Sequence, residues 1–215
     1  MKKLFFLAFV LSSILTSCQQ PQAQQQTADV NSQPAKNTTV ETILNRRSIR
    51  SYKFEQIKPE TLDTIITCAI NAPSAMNLQP WEVRIVQNPE IIKALGDGFK
   101  AFVNKGDPEK IANAKSPFHD APTLIVVAYK KDNDFGQLDC GWLGQNILLA
   151  AESMNIGTCV VGGPVKYLNS PEAKEIVSKL NFPEGYEIIY TIAMGYKNEQ
   201  PEAKPRDRSK VQIIN

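Results

Sequence analysis

The chain has one histidine, His119, and four cysteines in 215 residues. A single histidine excludes multi-histidine metal sites, and no Gly-x-Ser-x-Gly elbow offers it a nucleophile to serve. His119 therefore reads as a loop histidine whose hydrogen bonds are met locally. No strong charge bias is present: 24 Lys and Arg face 22 Asp and Glu. Removing residues 1–17 deletes Lys2, Lys3 and no acid, which brings the balance to zero. A neutral domain has no electrostatic reason to bind nucleic acid. Long apolar runs are absent too. The run Leu4–Leu15 falls short of the roughly 20 residues that a spanning helix needs. No internal repeat divides the chain.

What is there begins with a leader. Lys2 and Lys3 precede the Leu4–Leu15 run, and "LTSC" follows at 15–18. That is a basic segment, an apolar segment and a small-residue cleavage site. Cysteine at the cut resembles the lipobox of bacterial lipoproteins. The resemblance implies a signal peptide over 1–17, an acylated Cys18, export, and a lipid anchor in the cell envelope. Residues 18–39 are rich in Gln and lack aromatics, so they bury too little to offset their ordering entropy and read as a tether. With Cys18 acylated, Cys68, Cys140 and Cys159 remain. An odd number, each among apolar neighbours, argues for buried thiols over a disulfide framework.

Residues 40–215 are enough for one domain with a sizeable core. Val40–Asn45 begins a helix with Thr38 or Thr39 as its cap. Residues 59–72 form a second, with Pro59 in its first turn, an apolar face of Leu62, Ile65, Ile66, Ala69 and Ile70, and Pro73 as its stop. Trp81–Gln87 alternates as a strand. Residues 89–103 read as a helix and Gly106–Lys115 as a polar loop. Thr123–Tyr129 is a continuous apolar run, hence a strand buried on both faces. Residues 134–155 form the longest helix, where Phe135, Leu138, Trp142, Leu149 and Met154 recur at helical spacing. Gly141 and Gly144 in it would let another helix approach closely. Residues 157–163 form a short strand ending in two glycines, 171–180 a helix and 186–196 the last core strand; "VQII" at 211–214 is strand-like. The order gives an α+β sandwich of helices on a mixed sheet.

Four segments could carry chemistry. In "RRSIRSY", residues 46–52, Arg46, Ser48 and Arg50 alternate, so an extended chain shows all three to one side. Guanidinium forks with a hydroxyl suit a phosphate monoester. Cations ending a helix, where its dipole favours them, are the plainer alternative. "KPR", residues 204–206, again alternates Lys204 and Arg206, with Pro205 keeping the backbone extended. "NAPSAMNLQPW", residues 71–81, holds no acid, base or strong nucleophile, and "VVGG" at 160–163 ends in glycines.

Taken together and in order, "RRSIRSY", "APSAMNLQPW", "GQNILLAAESMNIGTCVVGGP" and "MGY…KPR" resemble the nitroreductase family of flavoenzymes. The likeness spans the domain from about residue 41. It implies a three-layer α/β/α sandwich on a mainly antiparallel sheet, a homodimer, and FMN bound in the dimer interface. Arg46, Ser48 and Arg50 would hold the phosphate and ribityl tail, helped by Lys204 and Arg206, with Arg47 contributing mainly backbone. Asn77 would hydrogen-bond the flavin ring, and Pro73, Ser74 and Ala75 would come from the partner chain. Val161, Gly162 and Gly163 would lie at the reactive edge, where backbone approaches the ring closely. No side chain need be catalytic and no metal is implied, because the flavin carries the redox chemistry. The implied activity is reduction of nitroaromatic, quinone or similar acceptors with NADH or NADPH in ping-pong order. A lipoprotein binding flavin or another ligand without turnover, or a reductive dehalogenase-type flavoenzyme, are the alternatives. Phe99–Phe118, the expected substrate cap, shows no subgroup motif.

Overall fold

Strand pairing organises the molecule. A computed structural model describes residues 38–215. The leader, Cys18 and nearly all of the tether lie outside the described residues. Helix α1, Thr38–Asn45, starts two residues before the expected domain boundary.

Helix α2, Pro59–Ile70, has Pro59 in its first turn and buries Leu62, Ile65 and Ala69. Ile70 of the expected stripe instead faces outward. Strand β1 is Trp81–Val86. Helix α3, Pro89–Val103, starts where the Asn88 side chain accepts the N–H groups of Glu90 and Ile91 at 2.9 and 3.3 Å. The expected polar loop after it contains a short helix, α4, Pro108–Asn113. Its cause is local. Asp107 accepts from Glu109 and Lys110, and Pro108 sits at the first helical position.

Strand β2, Thr123–Lys130, is buried along most of its length. Helix α5, Gly136–Ser153, is the longest element, and strand β3, Ile156–Val161, follows it. The next segment holds two short helices, α6 at Val165–Leu168 and α7 at Lys174–Ser178, before strand β4, Tyr186–Tyr196. The sheet order is β1-β2-β4-β3, with every neighbouring pair antiparallel. A parallel bridge between Ser48 and Thr158 adds the mixed character at the β3 edge.

Side chains alternate from this sheet into two cores. Ile125, Val127, Ile192 and Met194 meet Leu62, Ile65, Leu143 and Ile147 on the α2–α5 side. Leu124, Val126, Ala128 and Ile188 meet Ile92, Leu95, Tyr167 and Leu168 on the α3–α6 side. The result is the expected α/β/α sandwich.

Two details differ from expectation. Helix α5 buries Asp139, Cys140, Leu143, Gly144, Ile147, Leu148 and Ala151. The stripe Phe135, Leu138 and Trp142 stands about half exposed. Its two glycines also part company. A Cβ on Gly144 would lie 2.5 Å from Tyr190 Oη, whereas one on Gly141 would meet nothing within 4 Å. Residues 211–214 form no strand within one chain, and Val211, Ile213 and Ile214 are exposed. An extended segment becomes a strand only when something pairs with it.

Candidate functional site

The segment after α1 is stitched to the β3 edge. Ile49 N–H donates to Thr158 O at 2.9 Å, Lys53 N–H to Tyr196 O at 2.9 Å, and Asn198 N–H to Ser51 O at 3.0 Å. Gly157 makes room for this, because a Cβ there would sit 2.9 Å from Ile49 Cγ2. Ile49, Tyr52, Ala121, Cys159 and Ala193 form a small dry cluster beneath it. Held extended, the segment alternates as its sequence suggests. Asn45, Arg47 and Ile49 line a polar cavity with Glu152, Asn155, Lys197 and Glu199. Arg46, Ser48 and Arg50 turn the other way, towards the Cys159 thiol.

The electrostatics follow from that placement. Burial pushes the Cys159 thiol up, partly offset by the Arg50 and Arg46 guanidinium groups and a hydrogen bond with Ser48. Among the described residues, neither Arg46 nor Arg50 forms an ion pair. Glu199 accepts the backbone N–H of Arg50. The Arg50 guanidinium reaches only Ser48 O, at 3.4 Å. Two guanidinium groups outside any ion pair and a hydroxyl lie on one side of a pinned extended segment, a candidate anion clamp. The Arg47 guanidinium instead donates to Leu44 O at 2.7 Å and Arg46 O at 2.9 Å, capping α1.

The glycine edge continues from the same strand. Gly162 and Gly163 follow β3 with no protein atom closer than 4.0 Å to where a Cβ would lie. Nothing within the chain demands glycine here, so the open backbone is space for something else. Val161 O accepts the Thr191 hydroxyl at 3.0 Å, which fixes the end of the strand.

The turn before β1 is strained. Met76, Asn77 and Gln79 have φ of 52, 55 and 48°, in the left-handed region that non-glycine residues rarely adopt. Ser74 sets its internal shape: Ser74 O accepts Asn77 N–H at 3.0 Å, and its Oγ accepts Gln79 N–H at 3.1 Å. Pro73, Met76, Asn77 and Gln79 are exposed, with Ser74 and Ala75 half-buried. This shelf sits at the β1 edge and the clamp at the β3 edge. Three strand spacings, about 14 Å, separate those edges. One chain therefore does not bring them together. Lys204 and Arg206 lie on the exposed tail, and Arg206 donates only to Lys204 O and Pro205 O.

Asp139 and Glu199 stand near these groups without having been singled out in the sequence, and the loop histidine His119 lies beside them. Asp139, buried in the first turn of α5, accepts Ala75 N–H. His119 has φ of 56° in a turn beside the clamp. Burial and the Arg50 charge hold its pKa down, against Glu199 and Asp120. Glu199 ties the Arg50 backbone to the chain leaving β4. Only Asp139 left a signal, as an acid set between Leu138 and Cys140 in the first turn of α5. Among the described residues, no group of three or more His, Cys, Asp or Glu could hold a metal ion.

The helix-flanked antiparallel sheet thus carries a candidate anion clamp on one edge and a strained polar shelf on the other. Comparison makes this specific. The nitroreductase family model matches residues 43–196, so the chain belongs to the nitroreductase family. It is 32% identical over 173 residues to an NADPH-flavin oxidoreductase of Vibrio harveyi, covering 79% of this chain and 70% of that one. A nitroreductase of Desulfitobacterium hafniense solved with bound FMN matches with TM-score 0.74 at 31% identity, covering 83% and 99%. Another from Bacteroides fragilis, also with bound FMN, gives TM-score 0.76 at 26% identity, covering 83% and 100%.

Proposed function

We propose that this protein is an FMN-dependent NAD(P)H oxidoreductase working as a homodimer, each cofactor held between two chains. The Arg46–Ser48–Arg50 face, whose guanidinium groups form no ion pair among the described residues, beside the open backbone at Gly162 and Gly163 carries the reading. FMN, when bound, supplies the hydride chemistry. The chain binds, orients and excludes water. Arg46, Ser48 and Arg50 would hold the phosphate and ribityl tail, and Lys204 and Arg206 of the exposed C-terminal segment would add positive charge. The shelf would come from the partner subunit, its Asn77 hydrogen-bonding the ring and its Pro73, Ser74 and Ala75 packing against it. Val161, Gly162 and Gly163 offer backbone at the reactive edge.

If the shelf packs against the cofactor, donor and acceptor would have to use the same remaining space in turn. Hydride transfer needs reacting atoms within about 3–3.5 Å, so this sharing favours ping-pong order. Nitroaromatics, quinones and similar flat acceptors fit such a space. The leader and "LTSC" support acylation of Cys18 and anchoring in the cell envelope. Cys18→Ser should release the protein from membranes or block its processing; equal membrane association of both forms contradicts the anchor.

The test of the reading is chemical. Flavin is extracted from the purified protein and identified, and the loaded protein is mixed with NADH, then NADPH, without oxygen or acceptor. Bound FMN whose visible band bleaches with either donor supports the proposal. FMN that neither donor reduces favours a flavin-binding lipoprotein, and no FMN removes the reading altogether.

A further inference from the structure

Two costly features meet at one hydrogen bond. The first is the shelf, whose three left-handed residues each carry a conformational penalty. The second is Asp139, only 2% exposed. Among the described residues, its carboxylate has one hydrogen-bond donor, Ala75 N–H, at 3.2 and 3.3 Å from its two oxygens. A buried carboxylate with so few partners costs stability, and an apolar side chain of similar size usually serves a core better. The positive end of the α5 dipole, in whose first turn Asp139 lies, offsets only part of that cost.

The surroundings show what Asp139 adds. The turn's internal shape is set by Ser74 and by Leu78 N–H donating to Ala75 O at 3.0 Å. Asp139 is not needed for that shape. What it fixes is where the turn sits. Its own helix is held to the sheet: a Cβ on Gly136 would lie 2.9 Å from Tyr129, and the Tyr190 hydroxyl donates to Cys140 O. A rigid line therefore runs from sheet to α5, from Asp139 to Ala75, and two residues on to Asn77.

We propose that Asp139 is the positioning residue of the shelf, its carboxylate docking the 74–79 turn onto α5 so that Asn77 is presented to the cofactor. This rests on the FMN reading above. The same helix turns Leu138 and Trp142 outward, so the latch and the apolar face offered to a second chain share one rigid body.

The experiment uses the full chain with Asp139→Leu, which keeps the branched shape and removes the acceptor, and Asp139→Asn, which is the same size and keeps an acceptor oxygen. Three quantities are read: backbone amide exchange over 75–79 in the apo protein, FMN affinity, and apo melting temperature. In the Leu variant, exchange should rise and FMN affinity fall about tenfold or more, the scale of one charge-assisted hydrogen bond. Its melting temperature should hold or rise, and the Asn variant should recover most of the affinity. A Leu variant that fails to fold, or melts and loses FMN together, shows a merely structural role and overturns the proposal. Unchanged exchange and affinity overturn it as well. If wild type itself binds no FMN, the cofactor reading falls, and amide exchange alone then decides whether Asp139 is the latch.

Discussion

Arg46 and Arg50 face one side of a strand that cannot move without breaking the Ile49 and Lys53 backbone bonds. Such preorganised cations bind a phosphate without first ordering themselves. Arg46→Ala or Arg50→Ala should weaken FMN binding roughly ten- to hundredfold, at about 1.5–3 kcal/mol per charge-assisted hydrogen bond. Exposed Lys174→Ala is the control, and fluorescence titration of apo protein measures all three. Equal affinities would mean the arginines only finish a helix. His119 adds a pH dependence. Its pKa is lower in the folded chain than its ordinary 6.5, chiefly through burial and the Arg50 charge. The unfolded chain then binds more protons, so this contribution is present above about pH 6.5 and is lost as pH falls towards the folded pKa. Apo wild type should lose more melting temperature on acidification than His119→Gln. A matching loss in both would place the titration elsewhere. Period-two alternation makes Arg46, Ser48 and Arg50 legible in the sequence itself. Asp139 and His119 are not legible there as site neighbours, because tertiary contacts bring them to the site.

At the scale of elements, local signals set how well the sequence could be read. Helix α3 and strand β4 match their expected ranges, and the Asn88–Pro89 start of α3 is a cap written in sequence. Asp107–Pro108 writes the same signal for α4, hidden by the polarity around it. Helix α5 shows where periodicity runs out. It is apolar on two faces, so spacing alone does not say which face belongs to its own core and which to another chain. Cys140, Leu143 and Ile147 took the core, leaving Leu138, Gly141 and Trp142 outward. Burial pushes the Cys140 thiol up to about 12, aided by the Asp139 charge, as expected of an inert core thiol. The outward face yields a prediction. Trp142→Glu should leave the chain folded, since the side chain is about half exposed in one chain, yet split the dimer in sedimentation analysis. A stable mutant dimer would assign the interface elsewhere.

At the scale of the molecule, clamp and shelf lie on opposite edges of one sheet, so in the proposed dimer each chain would offer two half-sites. A two-fold axis can join the clamp of one copy to the shelf of the other, twice. The open backbone at Gly162 and Gly163 and the unpaired tail at 211–214 both accord with that arrangement. Mixed dimers test it most directly. One chain carries Arg46→Ala with Arg50→Ala, the other Ser74→Ala with Asn77→Ala, and differently tagged copies are co-expressed and isolated as heterodimers. Neither parent homodimer should retain FMN. If the site is shared, each heterodimer contains one wild-type clamp facing one wild-type shelf, and should regain a single tightly bound FMN. A heterodimer as empty as its parents would contradict a site built from two chains.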